Sequence, residues 1–374
     1  MKVVHIITSL EDGGAEAALY RLCIHDHTAE HVVISLKDWG KYGDLLHNSD
    51  IEVHCLNMSA GRLSFLSLFK LHKKLRQLRP DIVQTWMYHA NLIGGMIAFL
   101  AGIKNIYWGI HNTMLDKHFS KRATIWINKL CALLSYWIPK KIVCCAQSAV
   151  KVHSIMGYKS SKMITVVNGY EIQKFRYDSK SAAMLASELS LPSGLPILGM
   201  VARFDPQKDH FGLLKALQHV KRKTDNFKFL LIGRGLHNQN FSLTQEINKL
   251  GLQDNFLLLG QRQDIPSIMS LIDIHILSSR SEAFPNVLAE AMACETPCIT
   301  TDVGDAALIV SDTGWVVPSQ NSQALANSIL TALAEKEHNQ EAWHQRKQRC
   351  RQRIIESFSI KSMIENYHTV WNRK

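Results

Sequence analysis

Short apolar segments alternate with amphipathic segments along most of this chain, and the alternation begins twice. In the first half, apolar segments of strand length precede segments in which apolar residues recur every three or four positions. Predicted strands lie at residues 2–8, 31–37, 51–56, 81–86, 105–110 and 141–145, with predicted helices at 15–25, 63–78, 89–102 and 120–137. This pattern predicts a parallel sheet with helices on both faces, and such sheets bind ligands at the carboxyl ends of their strands.

A polar stretch from about residue 170 to 196, with Pro192, Gly194 and Pro196, separates the two halves and predicts a connector. Beyond it, strands are predicted at residues 196–202, 228–232, 255–259, 273–278 and 297–301, with helices at 212–222 and 242–250 and a polar helical tail from Ser322. We therefore expect an α/β chain of two Rossmann-like, doubly wound domains that face each other across a cleft. The expected boundaries are 1–170, a linker at 171–196, 197–355, and a C-terminal helix at 356–374 that can cross back to the first domain.

Composition places the chain among ordinary globular proteins. Of its 374 residues, 46% are hydrophobic and 20% are charged, which suits two sizeable cores and excludes disordered and fibrous classes. The eight cysteines form no CxxC or Cys/His cluster, so they fit a reducing cytosol better than disulfides or a zinc site. Met1 leads directly into an apolar strand, and the longest uncharged apolar run covers residues 92–103, so we expect neither a signal peptide nor a membrane-spanning helix.

Positive charge is concentrated in the first half. Residues 1–180 contain 23 Lys and Arg against 13 Asp and Glu, whereas the remainder contains 20 against 19. Such an excess indicates an anionic partner, which at this level is nucleic acid, an acidic membrane surface or a phosphate-bearing substrate. A solvated basic face with no partner would give the same counts.

The segment at residues 276–318 is the strongest candidate site. An apolar strand is followed by a polar turn and a helix, with Glu282 before the helix and Glu290 two turns inside it. Backbone N–H groups that suit a phosphate are expected at the helix start, from Phe284, Asn286 and Val287. Two carboxylates beside a phosphate cradle could hold the hydroxyl groups of a sugar nucleotide. Two exposed glutamates on any strand–turn–helix would look the same.

Other candidate residues follow predicted strands. Arg203 and Lys208 lie in a loop that leads into a helix, where they could neutralise a diphosphate or form surface salt bridges. Gly13 and Gly14 allow a bound phosphate or sugar to approach the backbone closely, although ordinary turn chemistry would also use them. Gly233 and Arg234 lie in a Gly-rich turn that could line a base or ribose pocket, although ordinary turn chemistry would also account for the glycine. His111 ends a strand and could reach the cleft, whereas most lone histidines are structural.

Taken in order, these residues resemble the ordered motifs of a known protein family. The chain is similar over nearly its whole length to the retaining glycosyltransferases of the large family-four group, which have the GT-B fold. The resemblance rests on GlyGlyAlaGlu at 13–16, His111, AsnGlyTyrGluIleGlnLysPhe at 168–175, Arg203 with Lys208, GlyArgGly at 233–235, Glu282 and Glu290 in an E-x7-E arrangement, and GlyTrpValVal at 314–317.

The resemblance implies a role for each matching position. Glu290 would bind the ribose hydroxyls and Glu282 the transferred sugar, while Arg203 and Lys208 would hold the diphosphate. The backbone of Phe284, Asn286 and Val287 would contact the sugar and β-phosphate, Gly13 and Gly14 would approach the donor, and His111 would bind the donor sugar near its reacting carbon. The first domain would then bind the acceptor and the second the nucleotide sugar, with UDP as the default nucleotide and GDP as an alternative.

The implied reaction is transfer of a hexose or N-acetylhexosamine with retention of configuration. No carboxylate of the first domain stands out as a covalent nucleophile, so we expect attack on the face from which the diphosphate leaves. No metal or other cofactor is expected, because Arg203, Lys208 and a helix N-terminus occupy the place of a divalent cation. Ala283 and Pro285 stand where the family often has glycine, and AsnGlyTyrGlu replaces AsnGlyValAsp, so the preferred sugar is open.

Two basic helices bear on the acceptor. Residues 62–76 and 117–141 alternate apolar and basic side chains at helical spacing, as in ordinary helices of a basic domain or in an interface with anionic lipid. The second reading predicts a lipid-linked acceptor used in surface polysaccharide or lipopolysaccharide assembly, and a cytoplasmic protein peripheral to the inner face of the membrane.

Other functions remain open from the sequence. A nucleotide-sugar epimerase or a phosphorylase could share two Rossmann-like halves, although no motif marks a pyridoxal lysine. A non-enzymatic polyanion-binding protein could use the basic half. We expect no nucleic-acid partner, because no recognised binding motif appears and aromatic residues do not interleave with the basic ones.

Overall fold

The structure, a computed structural model of the whole chain, describes residues 1–58, 65–112 and 122–372. The chain divides into two compact units. Met1–Gly169 together with Ile360–Lys374 form the first unit, and Tyr170–Ser359 form the second.

The first unit contains a seven-stranded parallel sheet, in the order β3-β2-β1-β4-β5-β6-β7. Its strands are β1 (Lys2–Ile7), β2 (Glu30–Ser35), β3 (Glu52–Cys55), β4 (Ile82–Trp86), β5 (Ile106–Ile110), β6 (Lys141–Cys144) and β7 (Met163–Thr165). Its helices are α1 (Gly14–His25), α2 (Gly40–His47), α3 (Phe65–Leu78), α4 (Met87–Leu100), α5 (Arg122–Leu134), α6 (Gln147–Ile155) and, from the far end of the chain, α15 (Ile360–Asn372).

The core of the first unit explains why α15 belongs to it. Strand β1 pairs in parallel with β2 on one side and β4 on the other, and most of their residues are buried. Helix α15 adds Met363, Tyr367, Val370 and Trp371 to the same core cluster as α1. These four residues stand at positions i, i+4, i+7 and i+8, which share one side of a helix, so one face of α15 is apolar.

The second unit contains a six-stranded parallel sheet, in the order β10-β9-β8-β11-β12-β13. Its strands are β8 (Ile197–Val201), β9 (Lys228–Ile232), β10 (Phe256–Gly260), β11 (Ile274–Leu277), β12 (Cys298–Thr301) and β13 (Trp315–Val317). Its helices are α7 (Ser179–Glu188), α8 (His210–Lys221), α9 (Phe241–Lys249), α10 (Ile265–Leu271), α11 (Asn286–Ala293), α12 (Ala306–Val310), α13 (Ser322–His338) and α14 (Gln340–Ser357). Side-chain oxygens cap five of the helix N-termini, from Asp178, Asp209, Asn240, Asn321 and Asn339.

The predicted fold class is confirmed: each unit is a doubly wound, Rossmann-like parallel sheet with helices. The boundaries differ from those expected. The expected linker at 171–196 contains helix α7 and is part of the second unit, because α7 packs on α10. The final helix begins at Ile360 instead of residue 356 and packs in the first unit. The starts of the two basic helices, at 62–64 and 117–121, lie outside the described residues.

Candidate active site

The sheet of the second unit reverses its direction of growth between β8 and β11. Successive strands β9 and β10 are added on one side of β8, whereas β11, β12 and β13 are added on the other. A crevice forms at the carboxyl ends of the strands at such a point, and it is where doubly wound sheets bind ligands. Arg203 and Lys208 follow β8, and Glu282 follows β11, so three predicted site residues lie at this point.

Lys208 and Glu282 are in direct contact. The Lys208 Nζ atom lies 2.5 Å from Glu282 Oε1, and the Ser279 hydroxyl donates to the same oxygen at 2.6 Å. The lysine and glutamate side chains are only 19% and 12% exposed, so solvent screens this ion pair less than it would a surface pair. The family resemblance implies that both residues bind the donor, but it does not reveal their pairing or the part of Ser279.

Local backbone contacts fix the position of Lys208. The residue ends a short 3-10 turn, Pro206–Lys208, which proline begins and which Asp205 caps by accepting from the Gln207 N–H at 2.9 Å. The Ser278 hydroxyl donates to the Lys208 carbonyl at 2.8 Å. The lysine that follows β8 is therefore tied to the end of β11.

The Arg203 side chain is exposed, and a hydrogen bond to Asp205 holds one edge of its guanidinium group. Its Nε donates to Asp205 Oδ2 at 3.0 Å. Burial acts to raise the pKa of Asp205, but hydrogen bonds from the Gln207 N–H and from Arg203 outweigh it and lower that pKa. Asp205 is therefore an anion that orients the guanidinium, whose terminal NH2 groups have no hydrogen-bond partner within the described residues. They are available to an anionic ligand.

A third cation near this point was not predicted. The Arg280 Nη2 donates to Asp209 Oδ1 at 2.6 Å, and the Arg280 N–H donates to the Gln207 carbonyl at 2.7 Å. Asp209 adopts a left-handed conformation with φ of 51° between the 3-10 turn and α8. The sequence signal for Arg280 was its position three residues after β11, in the same turn as Glu282.

The Gly-rich turn after β9 packs closely on the loop that carries Arg203. A Cβ atom on Gly233 would lie 1.9 Å from the Ala202 carbonyl oxygen, and φ at Gly233 is 144°. The Phe204 N–H donates to the Arg234 carbonyl at 2.8 Å. Glycine at 233 is therefore required by backbone packing, whereas the Arg234 side chain is exposed. The proposed base or ribose contacts of this turn stay a prediction.

Helix α11 begins at Asn286, with Pro285 at its N-cap. Val287 therefore lies in its first turn and Glu290 in its second, where Glu290 is half-buried. Phe284 precedes the cap, so its N–H does not belong to the first helical turn, contrary to expectation. The Phe284 side chain is buried and stacks on Tyr170, whose hydroxyl donates to Asn286 Oδ1 at 2.6 Å.

The sheet of the first unit reverses between β1 and β4, and Gly13 and Gly14 follow β1. Gly13 is the N-cap of α1 and Gly14 its first residue, so the helix has no side-chain cap. The surrounding side chains are acidic. Burial raises the pKa of Glu16, and the nearby carboxylates Asp12, Asp38 and Glu11 raise it further. This loop suits hydroxyl groups better than a phosphate.

His111 follows β5 and packs on a tryptophan. Its ring stacks on the indole of Trp86, with centroids 4.9 Å apart and planes 26° from parallel. Both ring nitrogens are buried and have no hydrogen-bond partner among the described residues. Burial, and then the charge of Arg21, lower the pKa of His111 to about 4. The imidazole is therefore neutral near pH 7.

One group of residues in the first unit has the composition of a metal site. Ligand atoms of His5, Cys23 and His31 lie within 4.8 Å of one another. However, His5 Nε2 and His31 Nδ1 lie 2.9 Å apart and share a hydrogen bond, and burial raises the pKa of the Cys23 thiol well above its usual value. The described atoms thus form a hydrogen-bonded pair beside a neutral thiol, which is a poor ligand set.

Comparisons with known proteins agree with this geometry. Residues 12–174 match the family model described as Glycosyltransferase Family 4, and residues 185–349 match Glycosyl transferases group 1. HepE from Anabaena, solved in complex with UDP and glucose, superposes with a TM-score of 0.86 at 21% identity over all of both chains.

Two curated relatives match over nearly the full chain. The Escherichia coli UDP-Gal:alpha-D-GlcNAc-diphosphoundecaprenol alpha-1,3-galactosyltransferase is 22% identical over 98% of this chain and 95% of its own. The Staphylococcus aureus capsular polysaccharide biosynthesis glycosyltransferase CapM is 23% identical over 99% and 89%.

Two doubly wound units in one chain, together with these structural matches, define the GT-B fold. With both family models matched, the chain belongs to the glycosyltransferases of the family-four type and is a hexosyltransferase. Within the part of the chain that the structure describes, no helix is both long and apolar enough to cross a bilayer.

Proposed function

We propose that this protein transfers a hexose or N-acetylhexosamine from a UDP-sugar to a hydroxyl of a lipid-linked or surface-polysaccharide intermediate, with retention of configuration. The contact between Lys208 and Glu282 at the point where the second sheet reverses carries this proposal. A cation for the diphosphate and an anion for sugar hydroxyls are held together there by partly buried hydrogen bonds, as donor recognition requires.

The positively charged side chains at this point help the nucleoside diphosphate to leave. When the bond from the sugar anomeric carbon to the diphosphate breaks, negative charge develops on the diphosphate. Lys208 and the free NH2 groups of Arg203 stabilise that charge, each by roughly 3 kcal/mol if well placed. The acceptor oxygen bonds to the anomeric carbon on the face that the diphosphate leaves, and the acceptor proton passes to a phosphate oxygen.

The remaining residues recognise the donor. Glu290 accepts hydrogen bonds from the ribose hydroxyls, and Glu282 from the transferred sugar. Gly233 and Arg234 border the nucleotide, and backbone groups of Phe284, Asn286 and Val287 contact the sugar and β-phosphate. In the first unit, the acid-lined turn at Gly13 and Gly14 binds sugar hydroxyls, and neutral His111 hydrogen-bonds the sugar near its reacting carbon. The first unit binds the acceptor.

The substrates of similar proteins support the proposed substrate classes. The Escherichia coli relative uses UDP-Gal and a diphosphoundecaprenol acceptor, CapM belongs to capsule biosynthesis, and HepE was solved with UDP and glucose. These support UDP as the nucleotide and a polyprenyl diphosphate glycan as the acceptor.

A panel of UDP- and GDP-sugars tests the proposal. We expect one UDP-hexose or UDP-N-acetylhexosamine to raise the apparent unfolding temperature, because a ligand that binds only the folded state stabilises it. Labelled donor with a polyprenyl diphosphate glycan should then give an α-linked product. An inverted linkage, an epimerised nucleotide sugar, or release of sugar phosphate in place of transfer would contradict the proposed reaction.

A lipid-linked acceptor requires this protein to reach a membrane, and the first unit has a surface suited to membrane binding. Helix α4 packs against α3 and α5, and all three helices expose large apolar side chains. We call this the apolar face; its members are Phe65, Leu66 and Phe69 on α3, Met96, Phe99 and Leu100 on α4, and Trp126, Leu130, Leu133, Tyr136 and Trp137 on or just after α5.

Charge around the apolar face favours an anionic membrane as its partner. Residues 51–169 contain 16 Lys and Arg but only 3 Asp and Glu. The ammonium group of Lys129 lies 5.1 Å from the Trp126 ring centroid, and that of Lys159 lies 5.2 Å from the Tyr136 ring centroid. Aromatic rings beside lysines suit the boundary between lipid headgroups and acyl chains. We propose peripheral binding at the inner face of the cytoplasmic membrane through this face.

Vesicle sedimentation tests the membrane proposal. We expect the protein to bind phosphatidylglycerol vesicles and to bind phosphatidylcholine vesicles weakly, since each lysine near an anionic surface contributes about 1 kcal/mol. Trp126→Ser with Trp137→Ser should reduce binding about tenfold or more. The control is Phe241→Ser on α9 of the second unit, which removes an aromatic side chain that is 81% exposed and is not a member of the apolar face. Equal losses for the two variants would contradict the assignment of this face.

A further inference from the structure

A chain of buried hydrogen bonds runs through the first unit to the tryptophan beneath His111. Trp86 Nε1 lies 3.2 Å from His5 Nδ1, and His5 Nε2 lies 2.9 Å from His31 Nδ1. His31 Nε2 lies 3.2 Å from Asp26 Oδ2. Side chains from β4, β1 and β2 and from the turn after α1 are thus joined in a single line.

The groups at the two ends of this hydrogen-bond chain, an indole N–H and a carboxylate, determine which nitrogen of each histidine carries a proton. An indole N–H can only donate, so His5 Nδ1 must accept and His5 Nε2 must carry a proton. That proton is donated to His31 Nδ1, which leaves a proton on His31 Nε2 to donate to the Asp26 carboxylate. All three bonds are satisfied with neutral imidazoles, which suits their complete burial.

The aspartate end is held from several directions. Burial acts to raise the pKa of Asp26, but hydrogen bonds from His31, Thr28 and His368 outweigh it and lower that pKa far below its usual range. Both the N–H and the hydroxyl of Thr28 donate to Oδ1, at 3.1 and 2.6 Å. His368 of α15 contacts Oδ2 at 2.7 Å. The anion that ends the chain is therefore firmly anchored.

We propose that Trp86 is a positioning residue for sugar transfer and that the Asp26–His31–His5 chain fixes its indole plane. Because the His111 nitrogens have no partner among the described residues, stacking on Trp86 sets the orientation of this imidazole before a donor binds. The inference rests on the proposed function, in which His111 contacts the sugar near its reacting carbon. A small misplacement of such a group lowers the rate of the chemical step strongly.

The sheet supplies a matched control in Trp108. Both indoles are fully buried in the same sheet, but β4–β5 pairing places Trp86 opposite Gly109, so Trp108 points to the other face. No ring contact joins Trp108 to His111 among the described residues, and its Nε1 has no hydrogen-bond partner there. Trp108→Phe and Trp86→Phe therefore remove similar volume, but only the second cuts the chain to His5.

The kinetic test separates positioning from packing. We expect Trp86→Phe to lower kcat about tenfold while the donor KM and the UDP Kd stay within about twofold of wild type. Trp108→Phe should leave kcat near wild type. In a His111→Ala background, Trp86→Phe should cause no further loss of kcat, because both changes act through the same imidazole. Independent, multiplicative losses would overturn the proposal, as would equal losses in Trp86→Phe and Trp108→Phe.

A second measurement does not need activity. The indole ring current should shift the His111 imidazole proton resonances upfield, and Trp86→Leu should move them downfield whereas Trp108→Leu should not. Unmoved His111 resonances in Trp86→Leu would overturn the positioning role even if the enzyme transfers sugar. A wild-type enzyme that transfers no sugar from any UDP-sugar would instead overturn the proposed function, and the resonance test would still decide the packing of His111.

Discussion

The two units share a doubly wound sheet, but the residues at their reversal points differ in chemistry. In the second unit, Arg203, Lys208 and Arg280 surround the point between β8 and β11, each held by a carboxylate. In the first unit, the corresponding point between β1 and β4 has glycines among carboxylates and a buried indole. One backbone topology thus carries basic side chains in the loops of the second unit and acidic side chains in those of the first. We propose that the basic loops bind an anion and the acidic loops bind hydroxyl groups, because side chains in the loops decide the chemistry.

The largest effect should come from Lys208, which is the strongest test of this contrast. Lys208→Ala removes the ammonium group that we assign to the leaving diphosphate, so kcat should fall about 100- to 1,000-fold. Circular dichroism should show an intact fold. Lys215→Ala, which removes an exposed lysine from α8 in the same unit, should retain activity. Full activity of Lys208→Ala would mean that the second reversal point does not bind the diphosphate.

Glu290 tests the nucleotide side of the same point. Glu290→Gln keeps the shape but removes the charge that we assign to the ribose, and hydrogen bonds to charged groups contribute about 1.5–3 kcal/mol. UDP binding measured by calorimetry should therefore weaken about 10- to 100-fold. Glu246→Gln on α9 is the matched control in the same unit. Unchanged UDP affinity in Glu290→Gln would remove Glu290 from the site.

Each unit contains a glycine that close backbone packing and a positive φ require. A Cβ on Gly233 would lie 1.9 Å from the Ala202 carbonyl oxygen, and one on Gly40 would lie 2.3 Å from the Leu10 carbonyl oxygen, both at positive φ. Alanine at either position should lower the free energy of unfolding by about 2–3 kcal/mol in urea titrations. Gly194→Ala meets positive φ but open space, so it should cost only about 1 kcal/mol.

Acidic pH should lower the free energy of unfolding of both units, because each contains a buried histidine. Burial lowers the pKa of His111 to about 4 and that of His275, on β11, to about 3. The unfolded chain therefore binds these protons first, so stability is complete above about pH 6.5 and falls as pH drops toward 4. At pH 5.5 the loss should be about 1 kcal/mol per histidine. His275→Gln should flatten the pH dependence of the unfolding midpoint, and an unchanged slope would contradict this assignment.

Metal removal should have the smallest effect. Because Lys208 and Arg203 occupy the place of a divalent cation in the proposed reaction, EDTA should change the transfer rate by less than about twofold. The assay compares EDTA-treated enzyme with the same enzyme after Mg²⁺ addition. A large gain on Mg²⁺ addition would show that the cations of the second unit do not suffice.

Sequence periodicity predicted most of the long elements because their apolar residues recur regularly. Strand β9 was predicted with its observed bounds, and α8 began within two residues of its observed start. Short elements such as α2, α10 and α12 were missed, because five to eight residues show little periodicity. Helix α7 was missed because flanking prolines and glycine made its segment look like a linker.

Lys208 and Glu282 could be placed after strand ends from the sequence, but their pairing could not be predicted. Strand ends followed by Lys208 or Glu282 can be recognised from the chain, since carboxyl ends of parallel strands meet at one edge of a sheet. Which side chains touch depends on rotamers and on distant partners. Ser279 and Asp205 gave no signal for that reason, and neither did the stacking of Trp86 on His111.

Helix α15 has a consequence for how this protein is made. Tyr367 and Trp371 complete the core around Trp86, although they lie nearly at the other end of the chain from β1. A ribosome must therefore synthesise the chain through α15 before the opening unit can finish folding. The intervening unit, whose residues are contiguous, can reach its native form earlier, so the half that begins first is completed last.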